Sequence, residues 1–370
     1  MVKIKDKDFP AIKSTILSES EVKGNCENFF GAIQVPLGIA GPLRIDFQKN
    51  EMKRFKKNYT VPVATTEGAL VASINRGFKA TYLSNGIKTY FENVGVSRGP
   101  VFRVRNIQEG KKILTYIQNN FSSFKEIAKK ESNHTKLLRA DSQMVGKNVW
   151  TRFYFDTCEA MGMNMATFVT EKIVSKIQND TKIKCTALSG NFCSDKKPSW
   201  SSFIIGRGKK IWAEAVIKKD VVRKVLKTDS QKIVNIIRQK SHLGSIITGS
   251  LGFNAHFANI IAALYLATGQ DLGHISEGSM GITDADVEKN GDLYFSIFLP
   301  DILVGTVGGG TMLPTQKEAL KILGISNESG DSVVLAQIIG ASVLAGELSL
   351  TAALASEDLA KAHKKLGRKN

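Results

Sequence analysis

The sequence predicts an α+β protein: a large mixed body of helix and sheet with a smaller α+β unit inserted over residues 101–186. Three observations carry this. At 370 residues, the chain is long enough for two or three domains. Helical spacing and period-two alternation both occur along it. From about Val101 to Thr186 the composition shifts, with 15 Lys and Arg against 8 Asp and Glu, a net of +7. The expected division is 1–100 and 187–370 for the large part, with 101–186 between them.

The elements follow in order. In "ENFFGAIQVPLGIAGPLRID" Gly and Pro break short apolar runs, which predicts strands and turns. The segment "VPVATTEGALVASINRGFKATYLS" begins extended and becomes helical. Thr65 and Thr66 are candidate caps, and Leu70, Ile74 and Phe78 repeat at helical spacing. Inside the insertion, an amphipathic stretch near 111–130 predicts helix. In "NVWTRFYFDT", Val149, Thr151, Phe153 and Phe155 alternate with Trp150, Arg152, Tyr154 and Asp156, a strand pattern. "CEAMGMNMATFVTEKIVSKI" reads as a glycine turn opening a helix. The uncharged run Leu243–Gln270 holds too many Gly, Asn and His residues for a membrane span and reads as a buried loop plus helix. "NGDLYFSIFLPDILVGTVGGGT" predicts two strands ending in a glycine turn. Asp331 to Ala355 predicts a buried Ala/Leu-rich helix interrupted by Glu347, followed by a polar tail.

Composition limits the function classes. Hydrophobic residues make up 42% and charged residues 23%, as in a globular protein. The formal net charge of +17 favours anionic partners. The basic residues are dispersed, without an arginine-rich arm or aromatic-interleaved stripe, so phosphate-bearing small molecules are preferred over nucleic acid. Cys26, Cys158, Cys185 and Cys193 form no Cys-x-x-Cys and have no His at zinc-ligand spacing, as expected of reduced thiols in the cytoplasm. "MVKIKDKDFP" lacks the apolar core of a signal peptide. No G-x-G-x-x-G after a strand, Walker loop, H-E-x-x-H or G-x-S-x-G occurs.

Four segments carry candidate chemistry. Glu67, in "ATTEGALVAS", is either a first-turn residue favoured by the helix dipole or a buried acid with raised proton affinity. "CEAMGMNM" is either core filling or a glycine turn whose N–H groups hold a pyrophosphate. "GTVGGGT" is a sharp turn or a close approach to a ligand. "SGNFCSDKKP" is a charged turn or a loop presenting an ammonium to an oxyanion. Asp271, His256 and His363 each have an ordinary structural reading when taken singly.

Taken together, "VPVATTEGALVASINRG", "GVSRGPVFR", "CEAMGMNM", "LSGNFCSDKKP", "GFNAHFANI", "GQD", "GTVGGGT" and a late "AH" occur in that order. This resembles the catalytic portion of 3-hydroxy-3-methylglutaryl-coenzyme A (HMG-CoA) reductase, from about Glu27 to Arg368. "MGMN" and "DKKP" resemble class I, and the lack of an anchor resembles the soluble archaeal forms. The resemblance implies a substrate-binding large domain with an inserted ferredoxin-like domain that binds NADPH. It implies two hydride transfers, from HMG-CoA to mevalonate, with release of coenzyme A. A related nicotinamide-dependent acyl-CoA reductase is the alternative.

The same resemblance implies roles. Lys196 matches the oxyanion-stabilising lysine, Glu67 the proton donor, Asp271 the aspartate tuning both, and His363 the histidine that protonates the departing thiolate. Arg98, Ser189, Asn191 and Lys197 match the pocket for the hydroxymethylglutaryl group, and Asp195 a substrate-loop position. Ser73, Asn75, Arg76 and Lys240 match coenzyme A and loop-supporting positions. Asn259 matches the asparagine bonded to the catalytic glutamate and lysine. Met161, Gly162, Met163, Asn164 and Gly308, Gly309 and Gly310 match cofactor contacts. A cytoplasmic homodimer with shared active sites is implied, with further pairing to a tetramer left open, and no metal, membrane or nucleic acid. Two departures stand out. Glu159 replaces the usual Asp, and in "SNHTK" Asn133 takes the place of the arginine that clamps the 2′-phosphate, beside Ser132 and His134. A weakened preference for NADPH over NADH is the consequence expected.

Overall fold

A computed structural model describes residues 10–50 and 53–356. A single strand, β3 (Ile87–Arg98), joins its two sheets. The strands before it are β1 (Leu37–Asn50) and β2 (Lys53–Ala64). After it come β4 (Val101–Arg103), β5 (Lys136–Val145), β6 (Asn148–Asp156) and β7 (Cys185–Ala187). The last four are β8 (Arg207–Ile217), β9 (Gly252–Phe253), β10 (Gly281–Val287) and β11 (Leu293–Ile302).

Lys88–Gly95 of β3 pair with β8 in the large sheet, which continues through β11, β10 and β9. Val96–Arg98 of the same strand pair with β6. Gly95, at φ +86°, sits at the changeover; a Cβ there would come within 2.7 Å of the Phe155 carbonyl oxygen.

The small unit runs β4, α2 (Ile107–Asn119), α3 (Phe121–Glu131), β5, β6, α4 (Met163–Thr181), β7. Its strands lie in the order β7-β4-β6-β5, all antiparallel. This is the ferredoxin-like arrangement. Phe102, Ile113, Phe124, Phe153 and Ile173 form a core of their own.

The large body wraps its sheet and the helices α1 (Leu70–Leu83) and α6 (Phe257–Thr268) around α7 (Asp331–Ala355). Among the described residues α7 alone is long and apolar enough to cross a membrane, yet nearly all of it is buried in protein. Gly77 lets α1 meet its backbone: a Cβ there would lie 2.9 Å from Ala345 Cα. Glu347, fully buried, accepts hydrogen bonds from the N–H groups of Ala255 (2.9 Å) and His256 (2.6 Å) and from Thr283 Oγ1 (2.8 Å). The charge that interrupts the apolar helix thus caps the start of α6's loop.

The α+β expectation holds, with three local corrections. Residues 293–302 form one strand, not part of two; Pro300 breaks the register between Leu299 and Asp301 instead of ending the strand. Neither Thr65 nor Thr66 caps α1; its first flanking residue is Ala69, at φ +71° and with no side-chain cap. In β6 both faces are buried. Arg152 and Tyr154, on the second side of the alternation, are 1% and 0% exposed, with Arg152 hydrogen-bonded to Ser201 and Ser202 of the short helix Trp200–Ile205.

Candidate active site

The loop from Leu188 to Ser199 links β7 to the short helix α5 (Trp200–Ile205). Asn191, Ser194 and Lys196 all adopt left-handed backbone, at φ +61°, +53° and +58°. For residues other than Gly or Asn this costs on the order of 1–3 kcal/mol and persists only where the surroundings dictate it. They do so here. Gly190 N–H donates to the Gly99 carbonyl at 2.6 Å and Trp150 Nε1 to the Gly190 carbonyl at 3.0 Å. Ser199 Oγ caps α5 and donates to Ser194 Oγ at 2.8 Å. Ser276 Oγ donates to the Lys196 carbonyl at 3.0 Å.

The result is that Lys196 Nζ lies 2.7 Å from Asp271 Oδ2. Gly273 makes room for the lysine: a Cβ there would be 2.7 Å from Lys196 Cδ. Asp271 Oδ1 also accepts from Gly273 N–H at 2.9 Å. Partial burial pushes the Asp271 carboxyl up, but hydrogen bonds from Lys196 and Gly273 and the nearby His274 hold it below the ordinary aspartate value. It is therefore ionised near neutrality. A depressed carboxyl stabilises the fold above its unfolded value, and that contribution is lost as pH falls through the folded one.

Behind this pair runs a chain of charges. His274 Nε2 lies 3.6 Å from Asp271 Oδ2, and His274 Nδ1 meets Glu277 Oε1. Arg207 donates from Nη1 to Glu277 Oε1 (2.6 Å) and from Nη2 to Asp195 Oδ1 (2.8 Å). Asp195 Oδ2 is 3.6 Å from Arg98 Nη1. Arg207 and Glu277 are fully buried, so each ion needs the other to offset its lost hydration, and His274 is buried between Glu277 and Asp271. Ligand atoms of Asp195, His274 and Glu277 lie within 4.8 Å of one another, as in a metal triad. The Arg207 guanidinium already sits on both carboxylates and takes the place of a cation. Burial and neighbouring Glu277 push the Asp301 carboxyl well up, against the pull of Arg207 and Arg152.

The other predicted residues divide. Arg98 joins the network, and its Nε is buried without a hydrogen-bond partner among the described residues, a donor free for an anion. Ser189, Asn191 and Lys197 are exposed on the loop, with Lys197 Nζ donating to the Asp195 carbonyl at 3.0 Å. Neither open reading of Glu67 holds: it is exposed in the turn before Leu70, and its carboxylate meets neither Lys196 nor Asp271. Its loop carries it to the surface ahead of α1. Asn259 reaches only the His256 ring, at 3.5 Å, not the glutamate or the lysine. Ser73 and Arg76 bind Ser349 of α7, and Asn75 Oδ1 accepts from Gly41 N–H, so all three brace α1 within the chain. Lys240 is exposed in the π-helical stretch Ile237–Gly244. His363 lies outside the described residues.

The two glycine segments come together. Ala160 bridges Val307, and Thr306 N–H donates to the Glu159 carbonyl at 2.8 Å. Gly308 and Gly309, at φ +77° and +56°, are exposed with open space around them, so conformation, not crowding, demands glycine. Gly162, at φ +89°, opens α4, and Asn164 is exposed beside a half-buried Met161. Two of the cofactor candidates are otherwise engaged. Met163 is buried, its sulfur 2.9 Å from Arg207 Nη2. Both Glu159 carboxylate oxygens accept backbone N–H groups at the start of α7, from Gly330 and Ser332, each at 2.7 Å. Ser132, Asn133 and His134 form a turn after α3, with His134 N–H on Ser132 Oγ at 3.1 Å.

Sequence reasoning missed Arg207, His274, Glu277 and Lys209. Lys209 is buried beneath the β6–α4 turn; burial pushes its ammonium below the ordinary lysine value, against the pull of Asp156, Glu159 and Cys158. The only available signal was the i,i+3 spacing of His274 and Glu277.

A lysine held on an aspartate, an arginine on the same loop's Asp195 and a basic ferredoxin-like module make an enzyme site suited to an anionic substrate. The comparisons name the particular family. The hydroxymethylglutaryl-coenzyme A reductase profile matches residues 1–368. The chain is 47% identical to the 3-hydroxy-3-methylglutaryl-coenzyme A reductase of Methanocaldococcus jannaschii, covering 96% of this chain and 87% of that one. Its identity to the Pyrococcus abyssi enzyme is 45%, over 93% and 85%. A class II reductase structure from Streptococcus pneumoniae, bound to NADPH, superposes with a TM-score of 0.71 at 18% identity, covering 91% and 89%. The chain belongs to the hydroxymethylglutaryl-coenzyme A reductase family and is of the archaeal type.

Proposed function

We propose that the chain reduces (S)-HMG-CoA to (R)-mevalonate in two NADPH-dependent steps and releases coenzyme A. The observation that carries this is the Lys196–Asp271 pair at 2.7 Å, fixed by a strained loop whose Asp195 meets Arg98 at 3.6 Å. Bound NADPH supplies the hydrides. Each hydride transfer leaves negative charge on the substrate oxygen, and the Lys196 ammonium is the group placed to meet it. Arg98 and Lys197 bind the substrate carboxylate. The turn at Gly162 with its exposed Asn164, set beside Gly308–Gly310, fits a dinucleotide at the start of α4. The inserted segment 101–186 is the cofactor module, and its net charge of +7 suits a ligand with three phosphates. Steady-state oxidation of NADPH should depend on HMG-CoA. Because Asn133 stands in the 2′-phosphate clamp, NADH should support slower turnover with only a modest penalty. Turnover of another acyl-CoA with none of HMG-CoA overturns the substrate assignment, and a preference for NADH overturns the coenzyme assignment.

The active unit is a cytoplasmic homodimer that shares its sites, and Glu67 acts as proton donor within it. What supports this is the surface position of Glu67, which finds no carboxylate partner among the described residues of its own chain. Mixed dimers of Lys196→Met and Glu67→Gln protomers should regain activity that neither variant has alone. If Lys196 and Glu67 serve the same chain's site, the mixture stays inactive.

A further inference from the structure

An oxyanion is stabilised by donors and charge aimed at it, and a lysine ammonium held by an ionised aspartate has part of its field cancelled. The chain of contacts offers a source of compensating charge. Lys196, Arg207 and Arg98 are cations, and Asp271, Glu277 and Asp195 are anions, so the six cancel. His274 stands in the middle of them, buried, with one ring nitrogen on Glu277 and the other facing Asp271. With Nδ1 donating to Glu277, a neutral ring turns a bare lone pair toward the Asp271 carboxylate. As an imidazolium it presents N–H groups to both carboxylates and adds one positive charge beside Asp271.

We propose that His274 is a positioning residue whose positive charge occupies Asp271 from behind, freeing the Lys196 ammonium to stabilise the substrate oxyanion. The proposal rests on the hydride-transfer reading of this site. The 3.6 Å from Nε2 to Asp271 Oδ2 is too long for a hydrogen bond and places the effect in electrostatics. Nε2 has no hydrogen-bond partner among the described residues, so nothing competes with Asp271 for it. The charged and titratable groups around the ring are Asp271 and Glu277 on its own segment, Lys196 and Asp195 on the loop, and Arg207 on β8. Asp301 on β11, Tyr265 on α6 and Arg152 on β6 lie at the buried end. Of these, Asp301 is pushed toward its neutral form by burial and Glu277, so it does not cancel the added charge.

The test is His274→Gln, whose amide still donates to Glu277 but cannot be charged. Reduction of the free aldehyde is measured across pH, since that half-reaction needs no thiolate protonation. In the wild type, kcat should fall as pH rises through the imidazole titration. In His274→Gln, kcat should be lower by roughly tenfold, the effect of removing one charge at this range in a partly screened site. Its pH dependence in that region should vanish, with KM changed little. An unaltered pH profile, or a loss confined to KM or to the unfolding midpoint, makes His274 merely structural and overturns the proposal. A second readout does not require turnover. The imidazole titration followed by NMR should move to lower pH in Asp271→Asn, because the carboxylate that favours the charged ring is gone. An unmoved titration overturns the coupling. Absent HMG-CoA turnover by wild type with a normal NMR shift would fault the substrate assignment and leave the coupling standing.

Discussion

Lys196→Met should lower kcat for HMG-CoA reduction by on the order of 10³-fold, the usual cost of removing a preorganised oxyanion donor. Methionine keeps the length of the side chain and removes only the charge. Coenzyme A binding should change little, because the ammonium is engaged with Asp271 and not with a nucleotide phosphate. Initial rates with saturating HMG-CoA and NADPH, together with calorimetric titration of coenzyme A, check both halves. A variant within tenfold of wild type would mean that another cation meets the oxyanion. Lys197 is the first candidate, but its Nζ is turned onto the Asp195 carbonyl.

The second large effect concerns stability. Arg207→Met should destabilise the protein by about 3–5 kcal/mol, because it strips the cation from buried charges that cannot reach water. Glu277 is fully buried and Asp195 mostly so, and both take their guanidinium contact from Arg207. The loss is read from the midpoint of urea denaturation with the slope unchanged. Arg207→Met combined with Glu277→Gln should recover part of it, since the two residues are in contact and their effects are not additive. An unchanged midpoint in the single variant would mean that Glu277 is neutral in the folded protein and needs no cation.

Much of the fold was legible because its signals are local. The helix at Asp331–Ala355 announced itself by composition, and Leu70, Ile74 and Phe78 by their spacing. The segment read as two strands is one over Leu293–Ile302, because β11 absorbs Pro300 as an irregularity in its pairing with β8. The Lys196 loop was legible as a loop, and Asp271 as an acid after a helix. That the two touch could not be read from a separation of 75 positions without the resemblance to a known family.

The errors have one cause. Glu67 was read either as a first-turn residue or as a buried acid, and its small neighbours could not decide, because they say nothing about what packs over them. Glu159 was expected at the cofactor, yet a helix start 171 residues further on claims both of its oxygens. By itself the sequence determined the family likeness, the order of elements and the loop that carries the lysine, since caps, periodicity and turn residues act over a few positions. Only the tertiary structure decided which charges are buried and which of them meet. His274, Glu277, Arg207 and Asp195 become one network because folding removes water from around them, and a charge without water must find its partner through space.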